Sequence, residues 1–101
     1  MNLIPFIEAQ REWSARTFGE TPRAEGLLAH IAKECEEIRA EPSKLSEWCD
    51  IIILAIDGAW RQGYSPEMIC DALEKKQAVN FTRVYNVGAE NEPCEHVRGG
   101  E

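Results

Sequence analysis

The chain has 101 residues, 44% of them hydrophobic and 29% charged, and its eleven Lys and Arg against eighteen Asp and Glu leave a net charge of −7. That length suits one domain able to bury only about 60–65% of its unfolded surface, so a partner subunit is expected. The acidic balance excludes a nonspecific grip on a nucleic-acid polymer or an anionic membrane.

The longest apolar run, Ile51 to Ile56, is closed by Asp50 and Asp57 and falls far short of a membrane span. No basic leader precedes Glu8, so a cytoplasmic location is expected.

Punctuation and periodicity predict four helices and no strand. The first runs from about Pro5 to Phe18, with Pro5 in the first turn and Gly19 as the stop. Thr21-Pro22 opens a second, which carries Leu27, Leu28, Ile31, Cys35 and Ile38 on one side and ends near Glu41-Pro42. Ser43 caps a third, Lys44 to Gln62, which Gly63 terminates. Ser65-Pro66-Glu67 starts a fourth that reaches about Tyr85. The expected organisation is a helical domain over residues 1–87 and a flexible acidic tail over 88–101.

The third helix is apolar around more than half its circumference, from Leu45, Trp48, Cys49, Ile52, Ile53, Ile56, Ala59 and Trp60. Only a narrow stripe of Glu47, Asp50, Asp57 and Arg61 is left polar. Three short neighbours cannot cover that surface, so the expected fold is an all-α bundle of about four helices completed by oligomerisation, as a dimer or tetramer. The four cysteines, Cys35, Cys49, Cys70 and Cys94, lack C-x-x-C spacing and read as reduced thiols. Cys94 with His96 is a minor metal pair in the tail.

Glu34 with Glu37, and Glu47 with Asp50, are carboxylate pairs at i, i+3, a spacing that places both groups on one helix face. Joined through a short Pro42-Ser43 turn, the two helices can present four carboxylates to one volume, which suits a hard divalent cation shared with phosphate oxygens. Spacing alone is weak ground. Chance supplies about three such pairs in a chain this acidic, and Asp71/Glu74 and Glu92/Glu95 bring the observed total to four.

Position adds more. Glu34 and Glu37 border an apolar stripe, with His30 one turn before Glu34. On the fourth helix Lys76, Asn80 and Arg83 share an arc with Met68, Ala72 and Val79. Cations on an apolar side need something negative to meet them, either the carboxylates as an ion-pair layer or the triphosphate of a nucleotide, with snorkelling to solvent as the plain alternative.

The ordered set His30-Ile-Ala-Lys33-Glu34-Cys-Glu-Glu37, Glu47-Trp48-Cys-Asp50 and Lys76-x-x-x-Asn80-x-x-Arg83 resembles the MazG-like all-α nucleoside triphosphate pyrophosphatases. Within them it is most similar to the dATP/dGTP diphosphohydrolase branch, many of whose members come from phages and bacteria. The likeness extends from Gln10-Arg-Glu-Trp13-Ser-x-x-Thr17-Phe18-Gly19 through Asp57-Gly-Ala-Trp60-Arg61-x-Gly63 to Arg83.

The resemblance implies hydrolysis of a (d)NTP, purine deoxynucleotides above all, to the monophosphate and pyrophosphate. It implies Glu34, Glu37, Glu47 and Asp50 as ligands of Mg²⁺, with Mn²⁺ as a substitute. Lys33, Lys76 and Arg83 become phosphate contacts and Asn80 lies near the nucleotide. Only nine residues separate Glu37 from Glu47, fewer than in many relatives.

The chemistry needs no protein nucleophile, because a metal-bound water can attack while Glu34 or Glu37 takes its proton. His30, Trp13, Phe18 and Trp48 are candidates for the base, with core packing the commoner role for each; Trp60 goes to the core, and Asp57 is either a supporting or additional metal group or solvated. Three other classes compete. A di-iron bundle lacks its Glu-x-x-His motifs. A zinc protein would depend on the cysteines. A non-catalytic oligomeric interaction module would release no pyrophosphate.

Overall fold

A computed structural model describes residues 2–86, 88 and 90–96. Four helices make up most of it: α1 (Leu3–Phe18), α2 (Ala24–Ala40), α3 (Leu45–Arg61) and α4 (Pro66–Thr82). The fold is all-α; the extended structure among the described residues is a two-residue antiparallel pair, Tyr85 opposite His96 and Asn86 opposite Glu95.

The chain divides into two compact units, Met1–Cys70 and Asp71–Glu101, with the boundary inside α4. In the first unit α3 packs against both α1 and α2. Ile7 of α1, Ile56 and Trp60 of α3, and Ile69 from the first turns of α4 form its buried core, with Leu3, Phe6, Ala15, Ala59 and Cys70 packed on the edge. Each lies on the apolar face that helical periodicity assigns. Trp60 is core, as expected.

Helix ends follow local chemistry, with several departures from the sequence reading. α1 begins earlier than Pro5 because the Asn2 side chain accepts from the Ile4 N–H at 3.1 Å. The Thr21-Pro22 start is not used: α2 begins at Ala24, after Arg23 in a left-handed conformation. The reason is tertiary, since Arg61 Nη1 donates to the carbonyls of Gly19 and Thr21 at 2.7 and 2.9 Å and ties that loop to α3.

Ser43 does not cap α3 either. It sits in a turn closed by Lys44 N–H to Glu41 O, and Lys44 becomes the N-cap residue without a side-chain bond. Ser65 does cap α4, accepting from the Met68 N–H at 3.1 Å. That helix ends at Thr82 rather than Tyr85. The run Phe81-Thr82-Arg83-Val84-Tyr85 is rich in β-branched and aromatic residues, and the Thr82 hydroxyl donates to Val79 O at 2.7 Å.

In the second unit the rest of α4 carries a Lys75–Asp71 ion pair at 2.8 Å and leaves Leu73, Val79 and Phe81 exposed. Met68 and Val79, read from sequence as part of a covered apolar side, are both exposed in the single chain. The pairing at 95–96 falls inside the segment expected as a tail, whose residues 89 and 97–101 lie outside the described residues. All four cysteines are free thiols.

Candidate active site

α2 and α3 run on from one another through the tight turn at Pro42-Ser43, and their packing brings their acidic faces together. Glu34 and Glu37 from α2 and Glu47 from α3 each contribute a carboxylate oxygen to a group in which all lie within 4.8 Å of one another. Glu34 is buried, Glu47 half-buried and Glu37 exposed. Asp50, one turn after Glu47, is exposed and lines the adjoining cleft with Glu34 and His30.

Glu34 and Glu47 are each held by one oxygen. His30 Nε2 meets Glu34 Oε1 at 3.2 Å, and Lys44 Nζ meets Glu47 Oε1 at 3.4 Å. The second oxygens, Glu34 Oε2 and Glu47 Oε2, are buried and accept no hydrogen bond among the described residues. An unsatisfied buried carboxylate oxygen is costly, and these two belong to a group of acids that could hold a metal ion.

The titration behaviour follows from this crowding. Glu34 is pushed up to about 7, first through the proton it shares with Glu37, then through burial, Glu47, and repulsion from Glu37 and Asp50. Glu37 goes the other way. Hydrogen bonding with Glu34 and then Glu47 holds it below the ordinary carboxylate value, with Lys33 assisting and burial and Asp50 opposing. Below about pH 7 the pair therefore holds one proton.

A cleft of about 340 Å³ leads away from Glu34 and Asp50, walled by Trp13 and Phe18 of α1, Arg23, and Ile53 and Leu54 of α3. Acids and aromatic rings lining one cleft match a ligand that is both polyanionic and ring-bearing. The family model of the dATP/dGTP pyrophosphohydrolases matches residues 6–100. The chain belongs to that family. This makes it a pyrophosphohydrolase, a hydrolase acting on acid anhydrides, and sets aside the non-catalytic module. No curated protein and no solved structure matches it.

For a member of this family, the donor set suits the divalent cation that pyrophosphohydrolases generally need. Three convergent carboxylates with two unpartnered oxygens are hard oxygen ligands suited to a divalent cation. Lys33 lies one residue before Glu34 and acts on Glu37 through its charge. Trp13 is half-exposed and meets Phe18 edge-on, centroids 5.6 Å apart at 88°. Trp48 donates to Pro42 O at 2.9 Å, which ties it to the interhelical turn. Lys76, Asn80 and Arg83 belong to the second unit, on α4 and just past it, where the Arg83 N–H donates to Asn80 O.

Sequence reading missed a buried polar network under the cleft. Asp57, expected to be either solvated or a supporting acid, is buried at 4% exposure, so the solvated reading is wrong. Its Oδ2 accepts from Arg61 Nε at 2.8 Å and its Oδ1 accepts from Gln10 Nε2 at 3.0 Å and Trp60 Nε1 at 3.1 Å. Arg61 also donates to the Ser14 hydroxyl at 2.8 Å. Burial alone would raise the Asp57 carboxyl, but hydrogen bonds from Ser14, Arg61 and Gln10 and the Arg61 charge outweigh it and hold it low. An i, i+4 Asp–Arg pair on a helix otherwise this apolar was the available signal.

Proposed function

We propose that the chain hydrolyses dATP and dGTP to the monophosphate and pyrophosphate, with Mg²⁺ held by Glu34, Glu37, Glu47 and Asp50 and Mn²⁺ able to replace it. The observation that carries this reading is the pair of buried, unpartnered oxygens on Glu34 and Glu47 within the carboxylate group. When bound, the cation supplies Lewis acidity toward the phosphate oxygens and the attacking water.

The chain's own residues do the rest. Glu34 or Glu37, ionised once the cation is bound, accepts the water's proton. His30 orients Glu34 by its contact to Oε1. Lys33, Lys76 and Arg83 hold phosphate oxygens and Asn80 the nucleotide, while Trp13 offers a ring face to the base.

A dimer or tetramer accompanies this activity. Leu45, Trp48 and Ile52 form an exposed apolar stripe along α3, and Leu28 of α2 is equally exposed. A chain this small gains from covering such a surface with a second copy. A soluble, cytoplasmic setting fits too; among the described residues no helix is long and apolar enough to cross a membrane.

The test is pyrophosphate release from each canonical deoxynucleotide and ribonucleotide with Mg²⁺, Mn²⁺ or chelator. Release from dATP and dGTP that stops with chelator is expected. Glu37→Gln should lower kcat by roughly 10²-fold or more at unchanged helicity. Full turnover in that variant would remove Glu37 from the chemistry.

A further inference from the structure

Arg23 contributes the one Lys or Arg side chain among the residues lining the cleft. Its guanidinium carbon stands 5.0 Å from the centroid of Phe18, whose ring in turn meets Trp13 edge-on. A cation over an aromatic face is held in place while its N–H groups stay available. Arg23 also has φ 50 and ψ 25, the one positive-φ non-glycine residue among the described residues, and its side chain makes no cap bond to α2. The loop that carries it is tied down by Arg61 through the carbonyls of Gly19 and Thr21. A strained, clamped arginine packed on Phe18 in the wall of the cleft is a group set in position beforehand.

The spacing fits a nucleotide laid along α2. From Arg23 to Glu34 the chain rises about 16–17 Å at 1.5 Å per residue, and Arg is long enough to shorten the gap. Base, deoxyribose and phosphates in line can span it. With the phosphates at the Glu34 end, the base meets Trp13, Phe18 and Arg23. Gln10 is held to the core instead, its amide nitrogen donating to Asp57 and its oxygen accepting from Trp60 Nε1 at 3.1 Å.

Adenine and guanine share N7 as an acceptor; at position 6 one carries a donor and the other an acceptor. Cytosine and thymine have no N7. A guanidinium aimed at the N7 edge therefore accepts both purines, donating once to adenine and twice to guanine, at N7 and O6. We propose that Arg23, set against Phe18 and beside the ring of Trp13, is the purine-selecting residue of this site, reading N7 of dATP and N7 with O6 of dGTP. This rests on the metal-dependent hydrolysis proposed above.

The experiment compares kcat/KM for dATP, dGTP, dCTP, dTTP and the 7-deaza forms of dATP and dGTP in the unaltered protein, Arg23→Ala and Arg23→Lys. The unaltered protein should lose roughly five- to tenfold on each 7-deaza purine. Arg23→Ala should lose about tenfold or more on dGTP and less on dATP, with dCTP and dTTP nearly unchanged and the 7-deaza penalty gone. Arg23→Lys, which keeps the charge without the fork, should recover dATP better than dGTP.

An unaltered protein that hydrolyses 7-deaza purines as well as the natural ones overturns the N7 contact whatever the variants do. So does a 7-deaza penalty that persists in Arg23→Ala. No pyrophosphate from any nucleotide would instead overturn the hydrolytic reading on which the proposal rests.

Discussion

Arg61 Nε donates to Asp57 Oδ2 at 2.8 Å one helical turn away, and the two side chains are 0% and 6% exposed. The same guanidinium reaches Ser14 on α1 and the carbonyls of Gly19 and Thr21 in the following loop, so one ion pair joins α3, α1 and the loop under the cleft.

Breaking that pair from one side leaves a buried charge without its partner. Arg61→Met or Asp57→Ala alone should each cost about 3–5 kcal/mol, a large share of the roughly 5–15 kcal/mol a domain commonly has. The double replacement should cost well below the sum. Urea denaturation of the four proteins reads this directly, and additive losses would mean that the pair is not coupled.

Protons and divalent cations compete for the carboxylate group. Glu34 is raised to about 7, so its contribution to metal-free stability is full below the ordinary carboxylate value and is lost as pH rises through about 7. Glu37 is lowered and has the opposite sign; its contribution holds above the ordinary value and disappears as pH falls through its folded value. A cation requires both ionised, so the rise in Tm on adding Mg²⁺ should be small at pH 5.5 and should grow until about pH 7.5. Glu34→Gln should raise the metal-free Tm at pH 8 and shrink the response to Mg²⁺. An equal Mg²⁺ response at pH 5.5 and 8 would contradict this linkage.

Two glycines should respond in opposite directions. Gly26 lies inside α2, and a Cβ built there meets nothing within 4 Å, so Gly26→Ala should stabilise by about 0.5–1 kcal/mol. Gly63 closes α3 at φ 100 with its N–H on Trp60 O, a backbone that side chains resist, and Gly63→Ala should cost about 1–2 kcal/mol. Thermal unfolding checks both, and the same sign for the two would show that backbone freedom is not what distinguishes them.

The exposed stripe on α3 has a simple consequence. Ile52 is 57% exposed between Leu45 and Trp48 on one side and Ala55 on the other, so Ile52→Glu puts a charge where a second copy is proposed to pack. Sedimentation should show an oligomer for the unaltered protein and a smaller species for the variant. A monomer in both cases at micromolar concentration would leave the stripe without that role.

Helix number and order were legible because each segment repeats apolar residues at helical spacing between Gly, Pro and Ser punctuation. The acidic pairs were legible as pairs, since i, i+3 spacing fixes two groups on one face of one helix. Their convergence was not, because it depends on the angle and register at which α2 meets α3. The same limit applied to helix starts. Thr21 and Ser43 carry the right side chains for caps, but Arg61 and the turn at Pro42 hold the local backbone otherwise.

By itself, then, the chain's pattern determined an all-α protein with acids on two adjacent helices and a third helix apolar around most of its circumference, since these are properties of single helices. Tertiary packing decided which acid is buried and shares a proton, that Asp57 and Arg61 lie inside rather than on a solvated stripe, and that Arg23 faces the cleft beside Phe18. Burial and partner distance belong to pairs of elements, and periodicity along one element cannot specify them.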